Sequence, residues 1–331
     1  MNGVGRLLLK AVGVGALVAA LPLLIFGCKD STQTENAWPD HPGPKVVVSF
    51  APLYCLAANV AGDDAVVKNV MSSKGPHEFD PTPADIRLVT KADLFFVVGL
   101  GLDEAKAQTM KDGSGNKDLN LVLLGSKLKK DELCEGKCTH ADHAGHDHDH
   151  GTDPHVWLSP DHAAKFVGFI RDELKAKDPA HAAGYDSRAG AYITKLKALK
   201  AYGVEKFQGK QDRRLVSFHD SLAYFEEAFQ LDVRAVLTKT PGQEPDTKEM
   251  KELIRVCTKK SAPVRVIATE PQYSTSSSGE TLRKELRANG VADPVLVEFD
   301  PLETVRPDEL TADWYETKMR ENIDRLAEKM K

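Results

Sequence analysis

Three catalytic signatures are missing from these 331 residues. There is no His-Glu-x-x-His, no Gly-x-Ser-x-Gly and no glycine loop that could cradle phosphate. Those absences remove the helical zinc-protease site, the serine nucleophile elbow and the common nucleotide site. Basic stripes are lacking too, and the net charge is −5, which argues against a nucleic-acid partner. Cysteine is scarce, at five residues, too few for a disulfide scaffold in a chain this long. The one long apolar run, Ala11 to Phe26, is short and glycine-broken for a membrane-spanning helix.

That run follows Arg6 and Lys10, as in an export signal. It ends Leu24-Ile25-Phe26-Gly27-Cys28, which resembles the lipobox of bacterial lipoproteins, with Cys28 as the acylated residue. Residues 1–27 therefore read as a lipoprotein-type signal peptide. An ordinary signal peptide and an uncleaved anchor are the other readings. All three place the remainder outside the cytoplasm, in the periplasm or at the cell surface. Residues 28–44, polar and ending Pro-Gly-Pro, read as a flexible tether.

What the sequence has in excess is histidine in one place. Six of its 11 histidines fall between His140 and His155. Neutral imidazole is a good donor to zinc, copper, nickel and iron near neutral pH. His140, His143, His146, His148 and His150 are auxiliary, loosely binding candidates in a polar loop spanning 126–153. Cys134 and Cys138 precede them, and a disulfide and a pair of thiolate donors both remain open. Cys55 and Cys257 sit in apolar surroundings and read as buried small hydrophobes.

Strand and helix signals alternate from Lys45 onward. Strands are expected at 45–50, 65–71, 94–99 and 119–124, then at 215–218, 233–237, 264–269 and 295–299. Helices are expected at 52–61 and 82–92, from Pro160 to a break at Pro179, and at 180–207, 221–230, 247–260, 279–288 and 307–330. Such alternation implies an α/β fold of mostly parallel sheets flanked by helices. The expected division is an N-terminal lobe at 45–178, a connecting helix at 179–209 and a C-terminal lobe at 210–331. Tyr192, Leu196 and Leu199 would share one side of the connecting helix.

His77, His155, His219 and Asp300 all lie beyond the carboxyl ends of expected strands, two from each lobe. That edge carries the ligand site in open parallel sheets. Three imidazoles and one carboxylate would fill a tetrahedral zinc shell, and a filled shell suits carrying rather than catalysis. Metal affinity should decline below about pH 6.5, where protons compete for imidazole.

These residues carry a family likeness. Gly75-Pro-His-Glu-Phe-Asp-Pro-Thr-Pro-Ala-Asp85, Asp153-Pro-His-Val-Trp-Leu-Ser-Pro160, Ser217-Phe-His-Asp-Ser-Leu-Ala-Tyr-Phe225, Thr269-Glu-Pro-Gln-Tyr-Ser274 and Val297-Glu-Phe-Asp-Pro-Leu302 occur in order. The chain resembles the zinc and manganese solute-binding proteins that serve bacterial ABC metal importers. The resemblance implies two α/β lobes joined by a long, rigid helix, with one metal in the cleft. It implies delivery of the ion to a membrane ABC permease; the lipobox implies a membrane anchor through lipid on Cys28, and a monomer is expected. The resemblance puts His77, His155, His219 and Asp300 in the metal shell, with Glu78 or water as the alternative fourth donor. Asp220 and Glu270 become groups that orient an imidazole or line a hinge. His219 at the third position, where manganese members tend to carry Glu, favours Zn2+ over Mn2+. Manganese or iron carriage is the alternative within the family. A surface adhesin, or a zinc hydrolase with Glu270 as base, are the alternatives outside it. Trp157 reads as packing, and His41, His162 and His181 as ordinary exposed residues.

Overall fold

The structure is a computed structural model, and it describes residues 1, 3, 38–136, 151–238 and 242–331. Cys28, Cys138, His140, His143, His146, His148, His150 and the signal segment lie outside those residues, except for Met1 and Gly3. The described residues from 38 to 331 form one compact unit.

Two four-stranded sheets carry it. In the first, β1 (Lys45–Phe50), β2 (Val66–Met71), β3 (Leu94–Val97) and β4 (Asn120–Leu123) are ordered β2-β1-β3-β4. In the second, β5 (Arg214–Ser217), β6 (Asp232–Val236), β7 (Val266–Thr269) and β8 (Val295–Glu298) are ordered β6-β5-β7-β8. Every pairing is parallel, so helices must return the chain across the sheet faces. The entirely apolar Leu-Phe-Phe-Val of β3 is buried along its whole length, as a strand covered on both faces requires. Both sheets reverse their strand order beside the first strand, the place where such sheets open a crevice at their carboxyl edge.

The helices of the first half are α1 (Ala51–Ala61), α2 (Pro83–Val89), α3 (Glu104–Ser114) and α4 (Pro160–Lys177). Thr82 caps α2, accepting from the Asp85 amide while the Asp85 carboxylate accepts from the Thr82 amide. α3 was not expected from the sequence. Its segment Glu-Ala-Lys-Ala-Gln-Thr-Met-Lys-Asp-Gly-Ser buries only Ala107 and Met110, too thin an apolar stripe to declare a helix.

Then comes α5 (Ala182–Phe207), about 39 Å long at 1.5 Å per residue. It buries Tyr185, Ala189, Tyr192, Leu196, Leu199, Gly203 and Phe207, a stripe at spacings of three and four. That stripe packs on α1 and α4 and also on α6 (Ala223–Phe229) and α9 (Trp314–Lys329), so one helix serves both sheets. The remaining helices are α7 (Thr247–Cys257) and α8 (Ser278–Ala288). The last helix starts at Trp314 rather than near Pro307, because residues 301–313 form the turns that cross between the halves.

Hydrogen bonds tie the halves together. Asn59 of α1 donates to Ala312 O at 2.7 Å, and Cys55 Sγ donates to Thr311 O at 3.3 Å. Cys55 and Cys257 are buried. The main apolar cluster draws on both sheets, while a smaller one, with Val216, Ile267, Leu253 and Leu282, lies within the second half.

The loop expected at 126–153 is shaped at its described ends. Short 3-10 turns occupy 125–127 and 130–132, and Glu135 bridges Thr152 in antiparallel fashion. His162 is buried rather than exposed, with Nε2 2.8 Å from Glu132 O. Among the described residues no helix is long and apolar enough to cross a membrane.

Candidate metal centre

Four chain segments meet at the carboxyl edges of the two sheets. After β2 the chain turns at Gly75, whose carbonyl accepts from the Glu78 and Phe79 amides, and this presents His77. Lys106 of α3 clamps that turn by donating to Pro76 O at 2.7 Å and His77 O at 3.2 Å. His155 enters from the far end of the histidine-rich loop, just before the 3-10 turn Val156–Leu158. His219 follows β5. Glu303 follows β8 through the turn Asp300-Pro-Leu-Glu. A Cβ at position 75 would stand 3.2 Å from the Glu303 Cβ, so a side chain there would press on Glu303.

The donor atoms converge. His155 Nε2 lies 3.4 Å from both His77 Nε2 and His219 Nε2. Glu303 Oε1 lies 3.3, 3.3 and 3.2 Å from the Nε2 atoms of His77, His155 and His219. All four donors fall within 4.8 Å of one another. The edge of a tetrahedron is 1.63 times its centre-to-corner distance, so bonds of about 2.0–2.1 Å require edges of about 3.3–3.4 Å. An octahedron with the same bonds would have adjacent donors only about 2.8–3.0 Å apart. These five separations match four-coordinate edges, and the sixth, between His77 and His219, lies within 4.8 Å.

Two of the imidazoles have their outer nitrogen committed. His155 Nδ1 lies 2.8 Å from Asp153 Oδ1, and His219 Nδ1 lies 2.6 Å from Glu270 Oε1. An ionised carboxylate only accepts, so the proton belongs on Nδ1 and the Nε2 lone pair faces the cluster. Glu303 Oε1 is buried without a well-aligned hydrogen bond. Nitrogen lone pairs and a carboxylate oxygen packed this closely call for a cation among them.

Without one, protons must serve. Burial alone would lower the His155 pKa, but the Asp153 carboxylate and Glu303 outweigh it and raise it to about 9. For His219 burial is likewise overcome, by Glu270 and Glu303, and the pKa stands well above its usual value. Burial would raise the Glu303 pKa, yet the charge on His219 and the contacts with the three imidazoles hold it well below the carboxylate range. The His77 side chain is 27% exposed while its three companions are 2–3% exposed, so the cluster opens to solvent at His77.

Asp300, expected as the fourth donor, is not in the cluster; Glu303 stands in that place. The Asp300 carboxylate is turned inward, accepting from the Leu302 amide at 2.8 Å, and burial raises its pKa to about 6. Glu78, the alternative donor, also lies outside, with Oε1 3.3 Å from the Tyr273 hydroxyl. Asp220 points its Oδ2 toward Gly136 at the base of the histidine-rich loop. Glu270 has both oxygens engaged, by His219 and by Gln272 Nε2 at 2.9 Å. Sequence reasoning missed Glu303, Asp153 as the His155 partner, and Lys106.

Comparison with known proteins bears on this geometry. The family model described as zinc-uptake complex component A, periplasmic, matches residues 46–329. The chain belongs to that family. It is 31% identical over 298 residues to the zinc-binding protein AdcA of Streptococcus pyogenes, covering 85% of this chain and 55% of AdcA. The chain thus spans about half the length of that relative. It is 26% identical over 292 residues to the manganese-binding lipoprotein MntA of Halalkalibacterium halodurans, covering 86% of this chain and 91% of MntA. Among solved structures it resembles the solute-binding protein FpvC of Pseudomonas aeruginosa in complex with Mn2+. That likeness has a TM-score of 0.73 and 26% identity, covering 86% of this chain and 97% of FpvC. The His/Glu cluster of this family member is suited to a divalent metal ion.

Proposed function

We propose that this protein is an extracytoplasmic solute-binding protein that captures Zn2+ between its lobes and hands it to a membrane ABC permease. The carrying observation is the convergence of Glu303 Oε1 and the three imidazole nitrogens, five of whose separations match tetrahedral edges. On this reading His77, His155, His219 and Glu303 are the metal ligands. His77 and His155 come from the lobe at 45–178, His219 and Glu303 from the lobe at 210–331, and the helix within 179–209 connects them. The zinc-binding names of relatives such as AdcA support the choice of ion. The manganese relatives keep Mn2+ as the second reading, but three imidazoles at four-coordinate spacing favour zinc.

A complete protein shell suits a carrier, because no position is left for substrate activation. Nanomolar capture needs about −12 kcal/mol, within the roughly 10–16 kcal/mol that full tetrahedral zinc sites supply. The lipid on Cys28 would hold the protein at the membrane. The histidines from His140 to His150 would add weaker sites.

The experiment is competition binding of zinc and manganese to the purified metal-free protein. One tight zinc equivalent, lost when His77, His155 and His219 are altered together, is the expected result. Deleting residues 140–150 should reduce total zinc bound and spare the tight equivalent. A parent protein that prefers manganese, or binds neither ion tightly, would overturn the assignment.

A further inference from the structure

One side chain links a cluster imidazole to the turn that precedes Glu303. Trp157, two residues after His155, is fully buried, and its ring centroid lies 5.1 Å from that of His155. Its Nε1–H donates to Pro301 O at 2.9 Å, in the turn that delivers Glu303 from the other lobe. The Tyr315 hydroxyl donates to Trp157 O at 2.6 Å and fixes the backbone of Trp157 in turn.

The other side of the turn is gripped by Asn322 of α9. Asn322 Nδ2 donates to Asp300 O at 2.7 Å, and Asn322 Oδ1 accepts from the Asp300 amide at 2.9 Å. Between these grips Leu302 takes a φ of +64°, left-handed and costly for a residue with a Cβ. A turn holding such a residue relaxes unless its neighbours over-determine it. Here Asn322, Asp300 Oδ1 and Trp157 fix three successive backbone groups immediately before Glu303.

We propose that Trp157 and Asn322 are positioning residues for Glu303. They hold its Oε1 at tetrahedral spacing from the imidazoles and thereby bias the site toward a four-coordinate ion. This rests on the cluster being the metal site. A carboxylate free to withdraw or to swing would admit water and let the shell expand, which suits manganese better than zinc. No group other than the indole N–H reaches Pro301 O in the described structure, so Trp157→Phe removes the grip while keeping the ring.

The test compares Trp157→Phe and Asn322→Ala, each alone and combined with Glu303→Ala, using the full chain. Zinc and manganese affinities are measured by competition, the shell by the visible spectrum of the cobalt(II) form, and the metal-free fold by its Tm. Each single change should weaken zinc binding about tenfold, the usual cost of losing a group that orients a ligand. It should also narrow the zinc-over-manganese ratio and weaken the intense bands of four-coordinate cobalt. With Glu303 already replaced by Ala, either change should alter zinc affinity by less than about twofold. Equal losses in both backgrounds, or an unchanged cobalt spectrum with a lowered Tm, would show a merely structural role and overturn the proposal. Should Trp157→Phe fail to fold, the Asn322→Ala cycle decides alone. If Glu303→Ala itself leaves affinity and spectrum at parent values, it is the metal assignment that fails.

Discussion

The Asp300 carboxylate accepts a 2.8 Å hydrogen bond from the amide of Leu302, and this bond turns the chain so that Glu303, not Asp300, faces the imidazoles. The two acids can therefore be separated by neutral isosteres. Asp300→Asn keeps an oxygen for the Leu302 amide and should change zinc affinity by less than about threefold, within the range of a neutral hydrogen bond of about 0.5 kcal/mol. On the proposed site, Glu303→Gln replaces an anionic donor by a neutral one and should cost about 100-fold, about 2.7 kcal/mol. Calorimetric titration of the two variants checks this. The reverse ranking would restore Asp300 as the ligand.

The carboxylates behind the imidazoles should matter almost as much as the imidazoles themselves. Asp153 Oδ1 receives both the backbone amide of His155, at 2.7 Å, and its Nδ1. Glu270 Oε1 stands in the same relation to His219. Asp153→Ala or Glu270→Ala frees a ring to rotate and to carry its proton on Nε2, where the metal should be. Each should lower zinc affinity by about 10–100-fold without changing the one-to-one stoichiometry. Equilibrium dialysis gives both quantities, and an unaffected affinity would mean that packing alone orients the rings.

Much of this arrangement was legible because buried parallel strands announce themselves. Runs such as Lys45–Phe50 and Leu94–Val97 admit few other readings, and the strands before His77, His155 and His219 put those residues at the carboxyl edges of the two sheets. Glu303 was hidden by a local feature. The strand end points to Asp300, and only the left-handed Leu302 and the grip of Asn322 on Asp300, 22 residues apart in sequence, bring the carboxylate three places on to face the imidazoles. Nothing in residues 300–303 taken alone reports that reversal. α3 was hidden for a different reason. Its outer face is polar, and its use is to bring Lys106 to the carbonyls of Pro76 and His77, a contact 30 residues away in sequence. The proton partner of His155 was closer at hand: Asp153 sits two residues before it, the spacing of a side chain that folds back on its own turn.

Gly203 tests how α5 ties the halves together. A Cβ at this position would lie 2.2 Å from Phe229 Cε1, inside the ring that closes α6 onto α5. Helix propensity alone would favour alanine by about 1 kcal/mol. Overpacking should win, because Phe229 is itself held between Phe207 and Phe225. Gly203→Ala is expected to destabilise the protein by about 1–3 kcal/mol. Thermal denaturation of the metal-free form measures it, and a raised Tm would mean that the two helices separate more easily than their packing implies.

The raised pKa of His155 shifts the pH at which metal is lost. An unperturbed imidazole would release its proton near 6.5 and leave zinc binding flat above that pH. With His155 at about 9 and His219 also raised, the metal-free site still carries protons at pH 7, and zinc must displace them. Apparent zinc affinity should therefore rise from pH 7 to 9, by up to about tenfold per unit for each proton displaced, rather than reach its plateau at 6.5. The metal-free fold should respond in the opposite sense. A histidine whose folded pKa exceeds its unfolded value stabilises the fold fully below about 6.5, and that contribution disappears as pH climbs through about 9. Titration calorimetry in buffers of differing ionisation enthalpy should detect proton release at pH 7, while the Tm of the metal-free protein falls toward pH 9. Zinc binding that releases no protons at pH 7 would show that the imidazoles are neutral before the metal arrives, and that the carboxylates of Asp153, Glu270 and Glu303 orient them without charging them.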